Sequence, residues 1–284
     1  MTVAHLALIP HRLRPEALDL AHQAIAWLEE RSHQVRVPED DARTDELRRY
    51  ACPEEKLTAD LDVAVSLGGD GTMLHAVALV AGADVPVLGV NVGRLGYLTE
   101  VEPAGLTAAL ERFLAGDHRV EHRMSLEVEV HAGSTTQVHL CLNEAVLEKT
   151  ESGHSVRLEL SLNEQPFLTC TADGLIVSTP TGSTAYNFSA RGPIVSPRHR
   201  ALVVTPVSAH TLFDRSLVLG SEETVGVEVL ERRPAALVLD GHDLGTLQPG
   251  DRVTCRAGAH DAHFVTFGDR DFHQILGAKF GLGR

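Results

Sequence analysis

In the first third of the chain, short solid apolar runs alternate with stretches in which apolar residues recur every three or four positions. Residues 3–9 form one such run and predict a buried strand; Pro15 then opens a segment with Leu18, Ala21, Ile25 and Leu28 on one helical face. Residues 38–55, rich in Asp, Glu and Arg, carry no readable period. The run Val63-Ala64-Val65-Ser66-Leu67 stops abruptly at Gly68-Gly69-Asp70-Gly71-Thr72, and Met73, Leu74, Val77 and Val80 follow with helical spacing. Residues 86–90 predict a third strand, leading into Asn91-Val92-Gly93-Arg94-Leu95-Gly96-Tyr97-Leu98. A helix follows through Leu106, Leu110, Phe113 and Leu114, ending near Gly116. Strands alternating with helices predict a doubly wound parallel α/β domain with its functional loops at the carboxyl ends of the strands.

After about Arg123 the period becomes two. Leu126, Val128 and Val130 alternate with Glu127, Glu129 and His131, and the pattern returns in Val138, Leu140, Leu142 and in Val156, Leu158, Leu160, Leu162. Further strand-like runs cover 174–178, 201–205, 225–229, 236–239 and 253–256, with Asp240-Gly241 offering hairpin chemistry. The expected architecture is an α/β domain over 1–121, a β-rich, sandwich-like domain over 122–262, and a tail over 263–284 that returns to the first domain. In that tail Phe272, Ile275, Leu276 and Phe280 have helical spacing.

At 284 residues the chain is long enough for about two hydrophobic cores of ~150 residues each. A formal charge of −14 argues against a general electrostatic grip on nucleic acid or an anionic membrane, so a phosphate-bearing partner has to be held locally. The four cysteines, Cys52, Cys141, Cys170 and Cys255, form no C-x-x-C pair, which points away from zinc and disulfides and toward a reducing, cytoplasmic setting. The N-terminal apolar run, residues 3–9, is too short to span a membrane and lacks the basic flank and small-residue cleavage site of a signal peptide.

Glycines between a strand and a helix let backbone N–H groups approach an anion at the positive end of the helix. Asp70, in the middle of such a cradle, repels phosphate unless it accepts a proton, holds a metal ion or caps the helix. The spacing is neither G-x-G-x-x-G nor a P-loop, since no Gly-Lys-Ser/Thr follows. His75, one turn on, is placed either to face a bound phosphate or to sit half-buried in its helix. Asn143-Glu144 reads as a strand-end turn or as a polar pair for a ligand. Asp173-Gly174 runs into the sequence Thr179-Pro180-Thr181-Gly182-Ser183-Thr184-Ala185-Tyr186-Asn187-Phe188-Ser189, whose hydroxyls and single Tyr ring suit a nucleoside or a surface loop alike. His118 and His122 have metal-compatible spacing, but nothing nearby completes a ligand set.

Taken together, these residues resemble the NAD kinases. The resemblance rests on Gly68-Gly69-Asp70-Gly71-Thr72, the 91–98 turn, Asn143-Glu144, and Asp173-Gly174 with the 179–186 run. Gly192-Pro193-Ile194, Pro206 and His210-Thr211-Leu212 add to it. The Gly-Gly-Asp-Gly-Thr turn alone is similar to those of phosphofructokinases and of diacylglycerol or sphingosine kinases; the 179–186 run makes the match specific. The resemblance implies transfer of the terminal phosphoryl group of ATP, or of another donor such as polyphosphate, to the 2′-hydroxyl of the adenosine ribose of NAD, giving NADP. It implies Asp70 as general base, Gly69 and Gly71 lining phosphates, and His75 as a phosphate contact. It further implies Asn143 and Glu144 on ribose hydroxyls, Asp173 at the nicotinamide end, and Thr184, Ala185, Tyr186, Asn187 and Ser189 around the nucleoside, with His154 and Ser208 as further contacts. Mg²⁺ or another divalent cation on the donor phosphates, no metal site of the protein's own, and a homodimer or homotetramer paired through the β domains complete the expectation. Where the family often reads Asp-Gly-Gln, this chain has Asp240-Gly241-His242.

Overall fold

The first apolar run becomes β1 (His5–Pro10) and is followed by α1 (Pro15–Glu29), which starts on a proline at its first turn, where the missing N–H costs nothing. Residues 3–94, 96–210, 213–230, 233–268 and 271–281 are described by the structure, a computed structural model. They separate into two units, one built from residues up to His122 together with those from Ala262 onward, the other from residues 123–261.

The first unit continues with β2 (Gln34–Pro38), β3 (Ala51–Cys52), α2 (Glu54–Leu57), β4 (Val63–Gly68), α3 (Asp70–Leu79), β5 (Val87–Asn91), α4 (Leu106–Leu114) and β6 (Arg119–Arg123). Its seven-stranded sheet has the order β3-β2-β1-β4-β5, then the late strand Ala262–Thr266, then β6. β1 runs parallel to β2 and β4, β4 to β5, and Ala262–Thr266 to β5. All six residues of β4 are buried, as a strand covered on both faces requires. α1 buries Leu20, Ala21, Ala24, Ile25 and Leu28 in the same core as Leu6, Leu8, Val65 and Leu88. Each fully buried leucine there contributes about 1.5–3 kcal/mol relative to exposure.

The second unit comprises β7 (Leu126–Ala132), β8 (Thr135–Cys141), β9 (Glu144–Lys149), β10 (Val156–Leu162), β11 (Gln165–Ala172), β12 (Gly174–Ser178), the short α5 (Tyr186–Ser189), β13 (Ala201–Val207), β14 (Leu217–Gly220), β15 (Val225–Leu230), β16 (Ala235–Leu239), β17 (His242–Leu247) and β18 (Arg252–Ala257). Two six-stranded antiparallel sheets form, β11-β10-β15-β18-β7-β8 and β14-β13-β12-β9-β16-β17. Leu126, Val128, Leu158, Val227 and Val253 from one meet Leu147, Leu175, Val177 and Leu237 from the other in a single core, which makes the unit a sandwich.

Three details depart from the sequence expectation. Val138 and Leu140 do alternate, but they are exposed: β8 is an edge strand whose inward position is Cys141, and it ends there, leaving Leu142 outside it. Asn143-Glu144 is more than a turn, because Glu144 is the first residue of β9. The tail contributes a strand, Ala262–Thr266, to the first sheet before its expected helix, α6 (Phe272–Phe280), begins.

Candidate active site

In the first unit, β4 delivers Gly68 and Gly69 to the start of α3, with Gly69 at the helix N-cap and Asp70 as the first helical residue. No side chain caps this helix, so capping does not account for Asp70. Its carboxylate instead accepts the N–H of Tyr97 on Oδ2 (2.9 Å) and of Leu98 on Oδ1 (3.0 Å), bridging to the turn that follows β5. A carboxylate has about four lone-pair directions, so two bonds leave it free to accept a proton. Two glycines make the fit. A Cβ on Gly96 would collide with Asp70 Oδ1, and one on Gly68 with the Thr72 hydroxyl. Gly69 and Gly71, by contrast, face open space, which leaves room for a ligand against their backbone. Tyr97 has its hydroxyl pKa raised, first by burial and then by the Asp70 charge, and its ring lies under the Lys279 ammonium of α6 at 3.8 Å. Leu95 of this turn lies outside the described residues.

His75 is half-exposed and its Nε2 lies 2.9 Å from Oδ2 of Asp41, a fully buried carboxylate in the short 3₁₀ turn Glu39–Asp41. Arg12 Nε donates to the other Asp41 oxygen at 2.5 Å. Burial works to raise the Asp41 pKa, yet the hydrogen bonds and charges of His75 and Arg12 outweigh it and hold the carboxyl below its usual range. His75 and Arg12 line a cavity of about 210 Å³ whose other walls include Glu39, Asp40, Glu54 and Glu55. Those acids disfavour a bare phosphate in that cavity. Asp41 came from the stretch without readable period, and no sequence signal singled it out.

In the second unit, Asn143 and Glu144 are both more than nine-tenths buried at the start of β9. The loop after β12 is locked onto them. Thr179 Oγ1 donates to Leu142 C=O (2.5 Å), Ser178 Oγ to Asn143 C=O (3.2 Å), and Gly182 packs so closely on the Asn143 carbonyl that a Cβ would clash. Hydroxyls expected to face a ligand are thus partly spent on the loop itself: Ser183 donates to Pro180 C=O, and Thr184 reaches Thr181 C=O at 3.4 Å. Asn187 is fully buried and fully engaged. Its Nδ2 donates to Ser183 and Pro193 carbonyls while its Oδ1 accepts from Thr205, so its side chain braces the loop. Glu144 Oε2 and Thr181 Oγ1 are buried without a hydrogen-bond partner. Burial, then the charge of Asp240, raises the Glu144 pKa to about 8, against a backbone N–H bond from Tyr186.

Tyr186 is 37% exposed. Its hydroxyl pKa is raised by burial and by the charges of Glu148 and Asp173, with Lys149 opposing, which places it among those three charges. Asp173 and Lys149 form an ion pair of 2.8 Å. Ala185 is half-buried just before α5, and Ser189 is exposed at its end. Ser208 is exposed just after β13 with φ 48°, and His154 is exposed beside Glu151 at 3.5 Å. Thr211 and Leu212 lie outside the described residues. His118 stacks on Phe113 and His122 packs edge-on to His263, and no group of three or more metal-ligating side chains occurs among the described residues.

Two family models cover most of the chain: the ATP-NAD kinase N-terminal domain matches residues 6–118 and the ATP-NAD kinase C-terminal domain residues 142–267. The NAD kinase of Heliobacterium modesticaldum is 40% identical over 274 residues, 95% of this chain and 96% of that protein. The chain belongs to the NAD kinase family. Solved structures agree at the level of fold. Yeast NADH kinase complexed with NADH superposes with a TM-score of 0.92 over 99% of this chain and 88% of that one, at 23% identity. An NAD kinase from Archaeoglobus fulgidus in complex with ATP gives 0.76 over 99% and 100%, also at 23% identity. Within the NAD kinase family model boundaries, the N-terminal match contains Asp70 and His75, and the C-terminal match contains Asn143, Glu144, Asp173 and the 179–189 loop.

Proposed function

We propose that the protein phosphorylates NAD to NADP, moving the terminal phosphoryl group of ATP to the 2′-hydroxyl of the adenosine ribose. Family membership supports the reaction class, and the observation that carries the chemistry is the Asp70 carboxylate, anchored by two backbone N–H groups at a helix N-terminus beside two open glycines. In this reading the ribose oxygen forms a bond to the γ-phosphorus as the bond from that phosphorus to the β–γ bridging oxygen breaks, and Asp70 takes the hydroxyl proton. Gly69, Gly71 and the positive end of α3 receive phosphate oxygens, and His75, fixed by Asp41, adds a further contact.

Asn143 and Glu144 hold ribose hydroxyls in this reading, and the two buried unpartnered atoms beside them, Glu144 Oε2 and Thr181 Oγ1, support it. Tyr186 offers a ring face to a base, with Thr184, Ala185 and Ser189 around it, while Asn187 keeps the loop in shape. Asp173 serves the nicotinamide end, and His154 and Ser208 are outlying contacts. A divalent cation, Mg²⁺ in the first instance, enters with the donor phosphates. Among the described residues no helix is long and apolar enough to cross a membrane. We place the enzyme in the cytoplasm as a homodimer or homotetramer. Purified protein incubated with NAD or NADH and a panel of donors, ATP and polyphosphate included, tests the reading. NADP formation dependent on donor is expected. Dinucleotide binding without phosphoryl transfer, across every donor and metal, would turn it into a sensor.

A further inference from the structure

The residues that hold a ligand are only as well aimed as the backbone beneath them, and the backbone of 142–144 is held from one point. Asp240, at the corner between β16 and β17, accepts Leu142 N–H on Oδ2 at 2.7 Å and, on Oδ1, Asn143 N–H at 2.7 Å and Glu144 N–H at 3.1 Å. Its own N–H donates to the Glu144 carbonyl at 3.1 Å. Asp240 and Gly241 take φ values of 48° and 82°, the left-handed pair that a two-residue hairpin between Leu239 and His242 requires. The hairpin turn is therefore what aims the Asp240 carboxylate inward.

We propose that Asp240 is a positioning residue for dinucleotide binding: by gathering three consecutive N–H groups it fixes the direction in which the Asn143 and Glu144 side chains leave the backbone. The proposal rests on the reading of those two residues as ribose contacts. Three N–H groups reach both of its oxygens, which only a carboxylate can accept, and Asp240 thereby brings a second carboxylate beside the buried Glu144. Burial first, and the Asp240 charge next, raise the Glu144 carboxyl to about 8, opposed by the Tyr186 N–H. Burial raises Asp240 as well, while the three N–H bonds and the nearby His242 pull it down. Cys141, the remaining titratable neighbour, is raised by burial and then by Asp240, and stays a neutral thiol. The charge of Asp240 is thus legible in the ionisation of Glu144, which a purely mechanical brace would leave unchanged.

Asp240→Asn keeps the size, removes the charge and turns an amide against at least one of the three N–H groups. It is expected to raise KM for NAD at least about tenfold with KM for ATP changed less than about twofold, the loss of one or more charge-assisted hydrogen bonds appearing in one substrate only. The ionisation near 8 in the pH profile of kcat/KM for NAD moves to lower pH, while staying above an ordinary glutamate because burial remains. Glu144→Gln, the control, loses that ionisation. If Asp240→Asn fails to fold, wild-type protein answers: NAD addition must shift the Leu142, Asn143 and Glu144 amide resonances together, and three silent amides overturn the proposal. Unchanged KM for NAD with an unmoved ionisation overturns it, as does a parallel rise of both KM values. Wild-type protein that binds NAD without forming NADP removes the kinase reading and leaves the role of Asp240 to be read from binding.

Discussion

Replacing Asp70 by asparagine separates catalysis from architecture, because the carboxylate does two things at once. It accepts the N–H groups of Tyr97 and Leu98, and in the proposed reaction it accepts a proton. An amide keeps one acceptor oxygen and sets an NH₂ against the second N–H. One hydrogen bond to a charged acceptor is lost and one N–H in a half-buried place is stranded, a cost of about 1–3 kcal/mol in stability. General-base catalysis typically contributes about 10²–10⁴-fold, or roughly 3–5 kcal/mol in the barrier. Turnover should therefore fall by at least ~10² while NAD still binds and the protein still folds. NADP formation coupled to an NADP-specific dehydrogenase gives kcat, calorimetric titration gives NAD affinity, and thermal melting gives stability. A variant that keeps more than a tenth of wild-type turnover, with its melting intact, would remove Asp70 from the role of base.

Gly96→Ala places a methyl against Asp70 Oδ1 and should cut kcat with little change in far-UV circular dichroism. Glu144→Gln should weaken NAD binding yet stabilise the protein: the folded pKa of about 8 lies above the unfolded value, so the glutamate's contribution is most favourable at acid pH and is lost as pH rises toward 8. Removing it gains about 2–4 kcal/mol at pH 7 by denaturant melting, and a wild-type protein that is more stable at pH 8 than at pH 5 with the variant unchanged would contradict this. Asp41 works in the opposite sense. Its lowered pKa supplies stability present above the unfolded carboxyl value and lost as pH falls through the folded one, so Asp41→Asn should flatten the acid limb of a melting curve. Of the four thiols, Cys52 alone is half-buried, and burial pushes Cys255 up to about 12, so a native-state thiol assay should find one fast-reacting group and denaturation should release four.

The strand–helix alternation of the first unit was legible because its central strands are buried on both faces and its helices on one, so burial writes itself into the residue pattern. The same rule explains part of what was missed. β11, β14 and β17 are edge strands whose side chains are mostly half-buried or exposed, so β11 and β17 show no one-sided apolar alternation, and β14 offers only the three-residue apolar run Leu217-Val218-Leu219. At the site, the glycine turn and the polar pair announced themselves through residue types too costly to keep without a use. The supporting roles of their neighbours did not. Asp41, Gly96, Thr179 and Asp240 act through partners 26–98 positions away in sequence, and only the folded chain shows those pairings.

The strand Ala262–Thr266 lies between β5 and β6, in the interior of a sheet whose other strands all precede residue 124. During synthesis, the first unit has to wait for the whole of residues 123–261 to leave the ribosome before that position can be filled, a delay on the order of 10 s. Until then that side of β5 is only partly satisfied: Glu100 and Val101 bond to Gly89 and Asn91, while Val87 at the start of the strand waits for Phe264. The Asp70 loop, at the other end of β4 and β5, is already anchored by Tyr97 and Leu98, so the late strand completes the sheet and not the loop.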